Sequence, residues 1–96
     1  MSFVLITSSN ALIDIQEAID WENKRQQGLG KRFLYYLEKR FESLIITPNS
    51  GSIRYDNVRC TTTKTFPYII HYIVDVVKER IIILRVLHSS RKPIRV

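Results

Sequence analysis

The sequence predicts an α+β domain in which an N-terminal strand and a helical hairpin pack on one face of a small antiparallel sheet. Two segments of the first half repeat apolar residues at helical spacing, whereas β-branched and aromatic residues dominate after Gly51. No linker, repeat or low-complexity segment separates the two halves. With 96 residues, of which 45% are hydrophobic, we expect one domain over residues 1–96.

The first strand and helix are predicted from residues 3–19. Apolar residues fill a short strand at 3–7, and Ser8, Ser9 and Asn10 offer side-chain oxygens that cap a helix. The helix is expected to bury one apolar stripe, formed by Ala11, Leu12, Ile15, Ala18 and Ile19. Gly28 and Gly30 predict a break before the next helix.

The second helix shows the same spacing and ends at a proline. Its apolar positions are Phe33, Leu34, Leu37, Phe41, Leu44 and Ile45. Pro48 disfavours a helical conformation at Thr47, so the helix should end there. Two consecutive helices joined by a Gly-containing turn form a helical hairpin.

The second half predicts antiparallel strands. Two runs rich in Thr, Ile, Val and Tyr flank a polar connection at residues 75–80, which indicates a hairpin. Pro67 should lie at a bulge or a strand start, because proline donates no hydrogen bond to a ladder. Residues 54–60 fit either another strand or a loop.

Composition restricts the compartment and the chemistry. One cysteine, Cys60, excludes an internal disulfide and the usual zinc frameworks, which favours a reducing compartment. The N-terminus lacks the cationic region of a signal peptide, and no apolar run approaches the roughly 20 residues that span a bilayer. We therefore expect a cytoplasmic protein. Neither a metal nor another cofactor is expected, since the sequence has no phosphate-binding loop or clustered acids.

The net charge of +6 lies entirely in the second half. Residues 1–50 carry six cations and six acids, whereas residues 51–96 carry nine cations and three acids. Such asymmetry suits a surface that meets a polyanion or an acidic partner. It also suits basic residues that keep an edge strand soluble, so both interpretations stay open.

Six residues are candidates for a site that binds a target or partner. They are Arg59, Lys64, Arg85, His88, Arg91 and Lys92. A metal-free ribonuclease needs such groups to move protons and to stabilise a phosphorane, which makes Arg59, His88 and Arg91 the catalytic candidates. The alternatives are solvated arginines and a histidine that only makes a hydrogen bond at a strand end. His71 lies between Ile70 and Tyr72 in an apolar strand and is expected to be structural.

Several segments together resemble the RelE/ParE superfamily of toxins from bacterial type II toxin–antitoxin, or plasmid stabilisation, systems. They are AxxDIxEAIDW at 11–21, GLGKRF at 28–33, Pro48 with Gly51, VRC at 58–60, FPYIIHYIV at 66–74 and ILRVLHSSRKP at 83–93. The resemblance covers nearly the whole chain. It implies two helices on one side of a sheet, with basic residues on the opposite face.

The resemblance also implies two alternative activities and a protein partner. RelE-like members cleave mRNA on the ribosome, ParE-like members poison DNA gyrase, and a cognate antitoxin holds either kind inactive. Cleaving members often carry an arginine where this chain has Tyr68, a lysine-rich strand where it has Thr61–Thr63, and a tyrosine near the C-terminus. The chain therefore resembles the ParE branch more closely.

Three functions follow from this resemblance. The first is a gyrase-binding toxin, the second an endoribonuclease with a rearranged catalytic set, and the third a degenerate member that only binds an antitoxin. An acidic antitoxin would complement the basic second half. A toxin–antitoxin hetero-oligomer is expected in each case.

Overall fold

Five strands form one mixed sheet, and two helices cover one of its faces. The computed structural model describes residues 3–90. Its elements are β1 (Val4–Thr7), α1 (Ser9–Arg25), α2 (Leu29–Ile46), a 3-10 turn (Pro48–Ser50), β2 (Ser52–Tyr55), β3 (Val58–Thr62), β4 (Tyr68–Asp75) and β5 (Arg80–His88). The strand order is β1-β5-β4-β3-β2. The predicted α+β fold, with its N-terminal strand and helical hairpin, is confirmed.

Strand β1 makes the sheet mixed, because it runs parallel to β5. Leu5 pairs with Ile81 and Ile6 with Ile82, while the pairs β2–β3, β3–β4 and β4–β5 are all antiparallel. Residues 54–60, which fitted a strand or a loop, lie within the β2–β3 hairpin. Pro67 directly precedes β4, as expected of a residue that cannot donate within a ladder.

Helix α1 begins at its predicted cap, and four of the five residues in its predicted apolar stripe lie in or against the core: Ala11, Ile15, Ala18 and Ile19. The Ser8 hydroxyl accepts a hydrogen bond from the Ala11 N–H at 3.1 Å. The buried positions are Ala11, Asp14, Ala18 and Glu22. Leu12 is 57% exposed, so its place in the predicted apolar stripe is wrong. The small side chains of the alanines bring the helix close to β5, and this orientation turns Leu12 outward.

The break between the helices is shorter than the sequence predicted. Helix α2 already begins at Leu29, so Gly30 lies inside it, and Gly28, with φ 95°, makes the turn. The Gly30 N–H donates to Asn23 Oδ1 at 2.9 Å. A Cβ atom at Gly30 would lie 2.8 Å from the Ile19 carbonyl oxygen. The two helices thus cross in backbone contact at a position that only glycine fits.

The core lies between α2, α1 and the helix-covered face of β4 and β5. Alternate residues of β4 point into it, as the two-residue period of a strand requires. The main buried side chains are Phe33, Leu37, Leu44, Tyr68, Ile70, Tyr72, Ile81, Ile83 and Val86. Within residues 3–90 no helix has the length and apolar character that crossing a membrane requires.

Candidate functional site

The four candidate residues that the structure describes lie on two strands and one loop. Arg59 is on β3, Lys64 on the loop between β3 and β4, and Arg85 and His88 on β5. Arg91 and Lys92 lie outside the described residues. The sequence suggested a single basic surface, so the surroundings of each residue decide what it is able to do.

Arg59 holds the loop that follows α2. Its Nη1 donates to the carbonyl oxygens of Gly51 at 2.6 Å and Asn49 at 3.2 Å. The buried Tyr72 hydroxyl, on the paired residue of β4, donates to the Pro48 carbonyl and accepts from the Gly51 N–H. Arg59 therefore acts with Tyr72 to fasten the 3-10 turn against the sheet.

Arg85 forms an ion pair with a buried acid of α1. Its Nε and Nη2 donate to the two carboxylate oxygens of Asp14 at 2.7 and 2.8 Å. The Val86 N–H donates to the same carboxylate at 3.0 Å. Asp14 is 5% exposed and the Arg85 side chain 25%. The hydrogen bonds that Arg85 donates to Asp14 raise the pKa of Arg85 above its ordinary value.

This ion pair closes a gap at the edge of the sheet. Strand β1 ends at Thr7, opposite Ile83, so within residues 3–90 the rest of β5 has no neighbouring strand on that side. The Ser8 hydroxyl donates to the Leu84 carbonyl, and Asp14 accepts from the Val86 N–H. Helix α1 thus satisfies backbone groups that an edge strand would otherwise leave open.

His88 lines a cavity at the end of β5. The cavity measures about 420 Å³, and its walls include Trp21, Arg25, Arg32 and Phe66. The His88 ring meets the Tyr68 ring edge-on, with centroids 5.1 Å apart. Its Nδ1 accepts a hydrogen bond from the Ser90 N–H at 3.1 Å. One imidazole and two guanidinium groups therefore face the same space.

Beneath this cavity lies a buried acid that the sequence did not single out. Glu22 is fully buried, and its two carboxylate oxygens accept from Arg25 Nη1 at 2.5 Å and from the Tyr68 hydroxyl at 3.0 Å. Tyr68 is itself fully buried, and its ring packs 4.6 Å from that of Phe33. Tyr68 thus links β4 to α1.

Arg59 and His88 do not share a site. Arg59 pairs with Tyr72 and His88 with Tyr68, on opposite sides of β4. The two positions are four residues apart along that strand, which corresponds to about 13 Å. The described catalytic candidates are therefore too far apart to act on one phosphate without rearrangement.

The sheet face that the helices leave uncovered carries His71, with Cys60 and Tyr55 beside it. His71 Nδ1 lies 3.5 Å from Cys60 Sγ and 3.4 Å from the Tyr55 hydroxyl. Burial, and then the charges of Arg85 and Arg54, lower the pKa of His71, so its neutral form is favoured. Burial also raises the pKa of the Cys60 thiol. The cysteine is thus a poor nucleophile.

The described residues do not assemble a metal site. Across residues 3–90, no three His, Cys, Asp or Glu side chains come close enough together to hold a metal ion. At the two open features, the His88 cavity and the uncovered sheet face, the described side chains include cations, imidazoles and aromatic rings.

Three structures of toxin–antitoxin complexes share this fold. A chromosomal ParDE system from P. aeruginosa matches with a TM-score of 0.79 and 18% identity, covering 92% of this chain and 97% of the other. The RelBE2 complex of Mycobacterium tuberculosis matches at 0.64 and 15% identity, covering 92% and 99%. The intact E. coli RelBE complex matches at 0.65 and 17% identity, covering 93% and 99%. No curated protein matches significantly in sequence.

The family assignment comes from the sequence itself. The family described as "ParE toxin of type II toxin-antitoxin system, parDE" matches residues 5–93. That match extends from β1 beyond β5 and so includes every element of the fold. The chain belongs to the ParE toxin family of type II toxin–antitoxin systems.

Proposed function

We propose that this toxin inhibits DNA gyrase by binding to it and that a cognate, acidic antitoxin holds it inactive. The supporting observation is that Arg59 and Arg85 already make internal contacts and that Arg59 and His88 lie on opposite sides of β4. Arg85 is paired with Asp14, Arg59 donates to two loop carbonyls, and Tyr68 is buried against Glu22. A toxin that acts by binding needs no assembled catalytic set. Its place of action would be the cytoplasm, where gyrase meets DNA.

Charge supports an acidic antitoxin as the partner. Arg25 and Arg32 line the His88 cavity, and the net charge of +6 belongs to the second half of the sequence. Opposite charge on the antitoxin would accelerate encounter and set the register of the complex. The toxin–antitoxin pair would then form a hetero-oligomer. Binding roles for Arg59, Lys64, Arg85, His88, Arg91 and Lys92 remain predictions.

Ribosome-dependent cleavage of mRNA is the second candidate function. It is favoured by the convergence of His88, Arg25 and Arg32 on one cavity. An imidazole is able to move a proton near neutral pH, and guanidinium groups stabilise a developing phosphorane. Arg59, the other described catalytic candidate, would have to leave its loop carbonyls to contribute.

Purified toxin added to gyrase and relaxed plasmid tests the first candidate. We expect loss of supercoiling together with accumulation of cleaved DNA. In parallel, the toxin is added to ribosomes translating a defined mRNA, and the RNA is mapped for cuts. Cuts that disappear in His88→Ala, in the absence of any effect on gyrase, would replace gyrase inhibition with the second function.

A further inference from the structure

A cleft on the outer side of α2 lies apart from the features described above. It measures about 340 Å³ and runs between α2 and the loop at 63–67. Its lining residues are Tyr35, Tyr36, Lys39, Arg40, Ser43 and Lys64. The stretch of α2 from 35 to 43 is about 12 Å long. A few units of an extended polymer would fit along it.

The two walls of the cleft are held in place. Thr63 is buried, and its hydroxyl donates to the Phe66 carbonyl at 2.6 Å, which tightens the loop that presents Lys64. Arg40 Nε donates to the Thr62 carbonyl at 2.9 Å and ties α2 to the end of β3. The Arg40 side chain and the backbone that carries Lys64 are therefore held in place before any ligand arrives.

The cleft is positively charged, and its described lining residues include no acid. Lys39, Arg40 and Lys64 contribute three charges. Lys39 has one acidic neighbour, Glu42, at 3.8 Å, but both side chains are more than half exposed, so this pair is weak. Arg40 uses only its Nε in the contact with the Thr62 carbonyl, so this contact does not occupy its two terminal nitrogens.

Two tyrosines lie among these cations. Tyr35 is 55% exposed, and its ring meets Tyr36 at 79° with centroids 5.3 Å apart. Lys39 Nζ lies 5.4 Å from the centroid of the Tyr35 ring. Tyr36 is half-buried and packs towards Phe66, at 6.1 Å. An exposed, supported ring beside three cations offers a base a stacking surface and offers its phosphates a counter-charge.

We propose that this cleft binds single-stranded nucleic acid, with a base stacked on Tyr35 and phosphates held by Lys39, Arg40 and Lys64. An acidic peptide would satisfy the three cations but would make no use of the exposed ring. The tyrosine therefore favours nucleic acid over an acidic protein. The inference goes beyond gyrase inhibition, and its test contains neither gyrase nor ribosome.

The test measures fluorescence anisotropy of a labelled, mixed-sequence oligonucleotide of about ten nucleotides, as DNA and as RNA, with the full chain. The three cleft cations should give a slope of log K against log salt of about −2, since each neutralised phosphate contributes about −0.7 for single strands. Lys39→Ala and Lys64→Ala should each weaken binding and reduce that slope by about 0.7.

Lys78→Ala is the matched control. Lys78 is an exposed lysine of the β4–β5 turn, at the other end of β4 from Lys64, and its hydrogen bond to Asp75 uses only the backbone. Binding should stay unchanged in Lys78→Ala. An equal loss in Lys78→Ala and Lys64→Ala would overturn the proposal, because attraction would then depend on net charge alone.

Substitutions at Tyr35 distinguish base stacking from attraction between charges. Tyr35→Ala should weaken binding at least about fivefold, the lower end for loss of one stacked ring, and leave the salt slope unchanged. Tyr35→Phe keeps the ring and should bind as the unmodified chain does. Absence of oligonucleotide binding would refute the proposal. The proposal would also be refuted if Tyr35→Ala bound the oligonucleotide as well as the unmodified chain does and a poly-glutamate peptide displaced the oligonucleotide equally from both. That result would assign the cleft to an acidic protein.

Discussion

Replacing the buried Asp14 by alanine should destabilise the fold more than replacing any exposed or half-buried acid by alanine. The substitution removes the acceptor for Arg85 Nε, Arg85 Nη2 and the Val86 N–H. Breaking a buried ion pair on one side costs about 3–5 kcal/mol, and an unpaired buried N–H adds about 1–3 kcal/mol. Because the Arg85 side chain is 25% exposed, water recovers part of this, and we expect about 3 kcal/mol in total.

Urea unfolding followed by far-ultraviolet circular dichroism measures this loss. Since 1 kcal/mol corresponds to about 4–8 °C in a domain of this size, Tm should fall by about 12–24 °C. Asp14→Asn keeps an acceptor for Val86 and should lose less. Glu38→Ala, an exposed acid on α2, controls for removal of one negative charge and should stay within about 0.5 kcal/mol.

A double-mutant cycle tests whether the ion pair itself is responsible. Arg85→Met in the Asp14→Ala background should cost much less than in the unmodified chain, with a coupling energy of about 1–3 kcal/mol. A loss below about 1 kcal/mol for Asp14→Ala alone would refute the interpretation. The pair would then behave as a solvated surface contact, and α1 would not depend on it.

Three further predictions concern the helix packing and the uncovered sheet face. Leu37→Ala should lower the unfolding free energy by about 2–5 kcal/mol, whereas Leu12→Ala, at a residue 57% exposed, should change it little; equal losses in urea unfolding would contradict the helix orientation. Gly30→Ala should cost about 1–3 kcal/mol through overpacking at the helix crossing, despite alanine's higher helix propensity, and a rise in Tm would contradict that contact. Burial lowers the pKa of His71 from its ordinary value of 6.5. The neutral side chain therefore contributes fully to folding stability above pH 6.5, and this stability is lost as the pH falls from 6.5 through the lowered pKa. His71→Gln should therefore lose less stability than the unmodified chain between about pH 7.5 and about pH 5, and equal losses would exclude His71 as the cause.

Periodicity predicted the elements well because most of them bury apolar side chains. The second helix, the β4–β5 hairpin and the cap at Ser8 were all predicted from local pattern. Helix α1 differed, because two of its four buried positions are Asp14 and Glu22. An acid counts as polar in any hydrophobic pattern, and its burial depends on a partner far away along the chain. The spacing of 11, 14, 18 and 22 was the available signal.

The functional residues were harder to predict than the fold. Arg59 and Arg85 look like surface cations in sequence, since their partners are loop carbonyls and an acid 71 residues away. Glu22 is polar, and only its helical spacing from Asp14 and Ala18 indicates that it is buried. Tyr35 and Lys39 share a surface with Lys64 only after α2 packs beside the loop at 63–67. Such groupings depend on tertiary contacts that local spacing does not encode.

The parallel pairing of β1 with β5 affects how the chain reaches its native state. Val4 pairs with Arg80, 76 residues later. Closing so long a loop costs about 2.4 kcal/mol more in chain entropy than closing a five-residue turn. The β4–β5 hairpin and the helices are able to form from nearby residues, whereas β1 waits for nearly the whole chain. Among the five described strands, the first to be synthesised is therefore the one whose partner is synthesised last.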